Sequence, residues 1–451
     1  MKFPEDAPLI TEFLSQICPN SEIRDKKNIR TAESLMNGKL ILKNFTPNKV
    51  HSSLIEGDSK RTFYRDIHAL SDDMNGNLFN YFKNMQNISQ FRMERSGFIA
   101  IDEHINSHCS DNIEGVSYFY STSHKKPIMG QSMISAHYYD QKIEFPVEFS
   151  FYRRKEELQK YGLEDTHKKK NEIFRDIIDK LCTLENCPDT ILMDSYFMTK
   201  ENARHLNQHD LIFVSRIKRN WKGTYNHRSM NMTELCSTIP INDFQLTSVN
   251  NSKTKKVRGY YCAVRDIYFR GIGPLRVVFV DASRFISSDG TLITNDPDLL
   301  DDSIESEQTS ETVSHFHVFV TNQLSESAEN ILSAYTLRWT IETGYRTLNQ
   351  GFELAKCQFR SVAVQYCFIG LTFFCYWFLL WLQIQCLYRH RGRISTCFSR
   401  IIASYEDYLN DCYRKSCKKM EDRAKNESHA RAIYFRYYFS ELSQEFRSLE
   451  V

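Results

Sequence analysis

The stretch SAYTLRWTIETGYRTLNQGFEL, residues 333 to 354, decides how this chain is read. Within it Tyr335, Arg338, Glu342 and Asn349 stand 3, 4 and 7 residues apart, which sets them on one stripe of a 3.6-residue helix. Leu337, Ile341 and Leu348, with Gly344 among them, form the opposite, apolar stripe. The pattern predicts a half-buried helix that holds a carboxylate and a guanidinium above a cleft. Taken alone, the same spacing fits an ordinary amphipathic helix with an Arg338/Glu342 surface pair worth about 0.3–0.5 kcal/mol. Two aspartates elsewhere favour the cleft. Asp102 closes the apolar run Phe98 to Ile101 in SGFIAIDEH, and Asp194 closes Ile191 to Met193 in DTILMDSYF. Both runs read as buried strands, and ligands of open α/β sheets collect where such strands end.

At 451 residues the chain exceeds one compact core, and 41% hydrophobic with 25% charged residues is a globular composition. Thirteen cysteines without a C-x-x-C pair point to reduced thiols in a cytosolic setting rather than a disulfide framework. MKFPEDAPLITEF lacks the basic and apolar regions of a signal peptide, so the protein is expected to stay in the cell. The formal charge of +2 hides a segregation: seven acidic and no basic residues lie from Asp296 to Glu311, leaving about +9 on the remainder. The basic runs at 153 to 155, 168 to 170, 216 to 222 and 253 to 258 suit a polyanion, although each is also what a solvated face looks like.

In chain order, residues 1–92 read as a helical domain. In SSLIEGDSKRTFYRDIHAL a helix, a turn at Glu56-Gly57-Asp58 and a second helix bury Phe63, Ile67 and Leu70 and turn Lys60, Arg61, Tyr64, Arg65 and His68 outward. This is the layout of a helix-turn-helix with a basic recognition helix, and equally of a helical bundle with a basic face. Residues 93–216 carry strands at 98 to 101, 116 to 120, 132 to 139, 145 to 152, 191 to 193 and 211 to 214, with a helix from Lys168 to Leu184. Residues 217–312 are expected to form a β-rich insertion with strands at 244 to 249, 259 to 269 and 275 to 280, ending in the acidic excursion. Residues 313–400 return through a strand at 315 to 320 to the helix across 333 to 354, and 401–451 read as charged helices. The run from Tyr366 to Leu387 has the length of a bilayer span, flanked by RHRGR. Gln383, Gln385 and the lack of a second such segment favour a buried core helix, the natural means of pinning the helix that bears Glu342 against the sheet. His104-x3-His108-Cys109 and His205-x3-His209 have zinc-ligand spacing, but neither has a matching partner pair in the sequence.

Asp at the end of a first strand, Asp after an ILMD strand, and F-V-x-N ahead of Y-x2-R-x3-E on a helix together resemble the DDE transposases of prokaryotic insertion sequences. The resemblance covers roughly 97 to 362 and is closest in HVFVTNQLSESAENILSAYTLRWTIETGYRTL. It implies an RNase H-like mixed sheet flanked by helices, interrupted by a β-rich insertion and preceded by a helical DNA-binding domain. It implies Asp102, Asp194 and Glu342 as catalytic ligands of Mg²⁺ or Mn²⁺, in two ions, because hard oxygens suit these cations and two ions serve in-line displacement at phosphorus. Tyr335 and Arg338 would contact transposon-end DNA, with Lys60, Arg61, Arg65, Lys218, Arg219 and Trp221 as further DNA contacts, Trp221 by stacking on an unpaired base. The partners implied are double-stranded DNA bearing terminal inverted repeats, target DNA and a second copy of the chain in a synaptic homodimer, with no membrane and a cytoplasmic, nucleoid-associated location. One position departs: Asn349 stands where the family has Lys, removing one charge-assisted phosphate contact. The expected activity is metal-dependent strand cleavage and transfer; the alternatives are a degenerate DNA-binding remnant and a single-span membrane protein.

Overall fold

The computed structural model describes residues 9–18, 26–42, 45–54, 59–121, 125–251, 256–286, 292–293, 315–354, 356–357, 359–390, 398, 401–403 and 405–409. The acidic excursion at 287 to 311, apart from residues 292–293, the turn at 56 to 58, Lys253 and Lys255, Arg391, Arg393 and the chain beyond 409 lie outside the described residues, as does the side chain of Arg389. Two compact units divide the chain, one of residues 1–75, 348–357 and 363–451, the other of 76–347 and 358–362.

The first unit opens with α1 (Leu9–Ile17), α2 (Lys26–Ile41), α3 (Pro47–Leu54) and α4 (Lys60–Met74). Helix α4 begins where the Ser59 hydroxyl accepts from the Thr62 amide at 3.1 Å, a serine N-cap that satisfies one of the orphan donors of the first turn. Phe63, Ile67, Leu70 and Met74 make its buried stripe, while Lys60, Arg61 and Arg65 are exposed. The sequence periodicity thus sorts this helix into a packed face and a basic face.

The second unit starts with α5 (Leu78–Met85) and a 3₁₀ turn, Ser89–Phe91. Phe82 and Phe91 both lie against Phe145, with ring centroids 6.0 and 6.2 Å apart. Residues 76–92, read from sequence as the end of the N-terminal helical domain, therefore pack with the sheet, because their aromatic face finds its apolar partner there. The strands follow as β1 (Phe98–Ser107), β2 (Ser117–Ser121), β3 (Lys126–Tyr139) and β4 (Glu144–Tyr152). After α6 (Lys155–Gln159) and α7 (Lys170–Cys182) come β5 (Thr190–Met193), α8 (Lys200–Gln208) and β6 (Ile212–Arg216). The segment read as the insertion supplies β7 (Lys222–Tyr225), β8 (Arg228–Asn231), α9 (Met232–Ser237), β9 (Gln245–Asn251), β10 (Lys256–Phe269), β11 (Gly273–Ile286) and β12 (Leu292–Ile293). The chain returns through β13 (Phe316–Thr321), α10 (Ala328–Leu337) and α11 (Trp339–Phe352), and α12 (Val362–His390) belongs to the first unit from Ala363 onward.

All thirteen described strands join one sheet, ordered β2-β3-β1-β5-β6-β13-β11-β10-β7-β8, with β4 also on β3, β9 on β10 and β12 on β11. Strands β1, β5 and β6 run parallel and are buried, as their unbroken apolar runs require. Antiparallel β3 and β4 lie on one side and helices α7 and α8 alternate with β5 and β6, an RNase H-like arrangement. The β-strands between β6 and β13 are not a separate layer: β11 pairs along β13 from Arg276/Thr321 to Asp281/Phe316, so they continue the same sheet.

The helix predicted across 333 to 354 is divided. At Arg338 the backbone bonds are of i to i+3 type, Arg338 N to Tyr335 O at 3.0 Å and Ile341 N to Arg338 O at 3.1 Å, so α10 passes into α11 through a tightened turn. Helix α12 fills a helical core: the whole of its most apolar stretch within Val362–Ile384 is buried. Its rings meet those of the N-terminal helices, Phe13 with Phe378 at 5.6 Å, Phe13 with Trp381 at 6.0 Å and Phe45 with Phe368 at 5.8 Å. The run is thus the buried core helix expected from its sequence, and a helix buried in this way is not a convincing membrane span. A helix that is apolar all round needs apolar neighbours on every side, and these amphipathic helices provide them.

Candidate active site

Parallel pairing of β1 with β5 ends at Ile101 and Met193, so Asp102 and Asp194 are the next residues on neighbouring strands. Strands in a sheet lie about 4.8 Å apart, which brings the two carboxylates to one mouth although 92 residues separate them. Asp102 does not end its own strand, as its sequence suggests; β1 continues along β3 to Ser107, and it is the shorter β5 that stops. Asp194 is set by its own turn, one carboxylate oxygen accepting from the amides of Tyr196 at 3.0 Å and Phe197 at 3.1 Å. One oxygen of Asp102 accepts from the Glu103 amide at 2.8 Å.

The third carboxylate arrives on α11. Arg338 donates from Nη1 to Asp102 Oδ2 at 2.7 Å and from Nη2 to Glu342 Oε1 at 3.1 Å. Its side chain is 3% exposed, against 16% for Asp102 and 31% for Glu342, so this is a buried bridge rather than a surface pair. Burial pushes the Asp102 carboxyl up to about 7, the charge of Arg338 works against that, and Asp194 and Glu342 add like-charge repulsion. Burial likewise raises Asp194, opposed by the two amides and by Arg338. Three acidic groups thus share one guanidinium in a poorly solvated place. Hard oxygen donors with negative charge in excess of their one cation fit a divalent ion of the magnesium type.

Several further residues build the site that the sequence reading did not assign to it. The hydroxyl of Tyr345, one turn after Glu342, lies 2.7 Å from Ser135 Oγ and donates to the Asp102 carbonyl at 3.2 Å, while its ring stacks on His104 at 4.4 Å. Burial holds His104 neutral, its pKa lowered to about 4 by desolvation against the opposing charge of Glu103. Gly344 rests on the His137 ring of β3, where an added Cβ would fall 2.5 Å from one ring atom. Lys170 grips both oxygens of Glu103 at 2.6 Å, the residue beside Asp102. Only Tyr345 had a usable signal, its i+3 spacing from Glu342.

The other sequence candidates fall in different settings. Tyr335 and Arg338, expected to face DNA, point inward. Tyr335 is 6% exposed, packs edge-on against Phe319 at 4.9 Å, and its hydroxyl is held protonated above its usual range by burial. A polar stripe at helical spacing marks a face but not which way the face looks. Asn349 lies half-buried two turns beyond Glu342 on α11. Lys218 is exposed, whereas Arg219 is half-buried with its guanidinium 4.7 Å above the Phe316 ring and its Nε donating to the Phe316 carbonyl at 3.1 Å. Trp221 is half-buried and meets Phe269 edge-on at 5.8 Å. Of the zinc-spaced histidines, His108 bonds Gln131 at 3.1 Å and Cys109 is exposed; among the described residues the one group of three His, Cys, Asp or Glu donors within 4.8 Å of one another is Asp179, His205 and His209.

The sheet is thus RNase H-like in arrangement, with acidic side chains at the mouth of its central parallel strands and a third on a following helix. The chain carries a transposase DDE domain: residues 157–378 match the family model of that description. The matched span holds Asp194, Tyr335, Arg338, Glu342 and Asn349, and Asp102 precedes it, joined to the site by the β1/β5 pairing. A comparison with curated proteins finds no match.

Proposed function

We propose that this DDE transposase cleaves DNA at the terminal inverted repeats of its own element and transfers the freed strands to target DNA. The observation that carries the proposal is the convergence of Asp102, Asp194 and Glu342, from two strands and a helix, around the buried Arg338. In this reading the three carboxylates hold Mg²⁺ or Mn²⁺, as a pair of ions in the working complex. The chemistry such ions supply is activation of the attacking oxygen and stabilisation of the leaving one at phosphorus. Arg338 fixes the rotamers of Asp102 and Glu342, and Tyr345 holds the backbone of β1 at Asp102, so both are positioning residues. The exposed Lys60, Arg61 and Arg65 of α4 take duplex phosphates, joined by Lys218 and Arg219, while Trp221 stacks on an unpaired base. Two copies of the chain would hold two ends together, in the cytoplasm at the nucleoid.

The test uses the purified full-length chain and linear duplex ending in the inverted repeats that flank its reading frame. Mg²⁺-dependent nicking at the repeat boundary, followed by joined products, is the expected result. Asn349, which lacks the charge of the lysine it replaces, favours a second reading as a DNA-binding remnant. Specific end binding without cleavage under Mg²⁺ or Mn²⁺ would establish the remnant and remove the enzyme.

A further inference from the structure

A second cluster of metal-type donors lies away from the acidic mouth. Asp179 sits in the last turn of α7, and His205 with His209 occupies the C-terminal end of α8, four residues apart and so on one face. Helix α8 begins shortly after Asp194, and its nine residues span about 13 Å, which places the histidines at the far end from that carboxylate. Both imidazole Nε2 atoms lie 2.9 Å from the same oxygen, Oδ1 of Asp179, and the three donor atoms are within 4.8 Å of one another. Only the His209 contact is aligned as a hydrogen bond. The Nε2 of His205 is buried and makes none, despite its 2.9 Å approach. A plain Asp–His pair explains His209 and leaves the second imidazole nitrogen, aimed at the same point, without a reason.

We propose that Asp179, His205 and His209 bind a divalent transition ion, zinc by the type of its ligands, which ties the end of α7 to the end of α8. Two imidazoles and a carboxylate are borderline donors suited to zinc rather than to magnesium, and three protein ligands leave a fourth position for water. Bonds of about 2.05 Å in a tetrahedron put donors about 3.3 Å apart, so the 2.9 Å contacts need to open by only a few tenths of an ångström. Asp179 is 53% exposed on its side chain, which gives the ion a route in from solvent. Helix α7 leads into β5 and α8 leads out of Asp194, so the ion would brace the frame of the active site without taking part in cleavage.

The experiment counts zinc by elemental analysis on the full-length protein after zinc loading and dialysis against metal-free buffer. Asp102→Asn with Asp194→Asn supplies a background in which the acidic mouth no longer contributes. One equivalent should remain in that background and be lost when His205→Gln and His209→Gln are added, and Co²⁺ loading should give the visible absorption of a histidine-bound ion only in the former. Asp179→Asn, at an exposed position, repeats the comparison should the histidine pair impair folding. No retained zinc in the background protein, or retention undiminished by the ligand variants, would overturn the site. The count does not depend on cleavage, so it stands or falls apart from the proposed transposition.

Discussion

Gly344→Ala probes how tightly the helix bearing Glu342 must sit on the sheet. An added Cβ would lie 2.5, 2.9 and 3.0 Å from three ring atoms of His137, which is itself 2% exposed on β3. Ordinary carbon contacts are about 3.5–4.0 Å, so α11 and β3 must part by about 1 Å. Overpacking of this kind costs about 1–3 kcal/mol, while the helix propensity of Ala over Gly returns about 0.8–1.0, leaving a net loss on the order of 0–2 kcal/mol. The larger effect falls on geometry, because Glu342 is two residues from the point of contact and a misplacement of about 1 Å can cost about a hundredfold in rate. Gly351→Ala on the same helix is the internal control, since among the described residues nothing lies within 4 Å of the Cβ it would gain. Thermal melts and Mg²⁺-dependent nicking should show Gly351→Ala at least as stable and as active as wild type, and Gly344→Ala about a hundredfold slower with end binding kept. Equal activity of the two variants would refute the idea that this close approach sets the position of Glu342.

Arg338→Lys keeps a positive charge but cannot fork to Asp102 and Glu342, so cleavage should fall at least about tenfold and stability by about 1–2 kcal/mol; wild-type behaviour in both assays would make the bridge dispensable. The sheet-bearing unit should lose stability in acid. Burial lowers the pKa of His104 to about 4 and of His137 and His317 to about 3, so below about 6.5 the unfolded chain takes up protons that the folded one refuses, and stability falls as pH drops from there toward 3. Chemical denaturation at pH 7 and pH 5 checks this, and a His137→Gln protein with an unreduced pH slope would count against His137 as a source. Neutralising Lys60, Arg61 or Arg65 singly should weaken end binding and reduce the salt slope by about one unit each, measured by titration across ionic strengths; an unchanged slope would place the duplex elsewhere.

Much of this architecture was legible because it is written in local patterns. The runs ending at Asp102 and Asp194 are too apolar for anything but buried strands, and Phe63, Ile67 and Leu70 sort α4 into an inner and an outer face. What stayed hidden depends on partners remote in sequence. The polar stripe of Tyr335 and Arg338 reads alike whether it faces solvent or a buried pair of carboxylates, and only the meeting with Asp102, 236 residues away, settles it. Helix α12 announces that it is buried, but not that Phe13 and Phe45 bury it. The hairpin of β7 and β8 carries too few apolar residues to show a period. His205 and His209 had visible spacing, and their third donor, Asp179, comes from the preceding helix.

The central claim is that Asp102, Asp194 and Glu342 form one metal-binding site, and it is tested most directly by comparing Asp102→Asn, Asp194→Asn and Glu342→Gln for Mg²⁺-dependent nicking of end-bearing duplex. Asp102 carries the greatest weight, because it lies before the matched span of the family model and is tied to the site by the β1/β5 pairing and by its contacts with Arg338 and Tyr345. Each substitution should abolish nicking, by more than about a thousandfold, while the protein melts as a folded chain and binds the ends with near wild-type affinity. An Asp102→Asn protein that nicks at the wild-type rate would contradict the shared site.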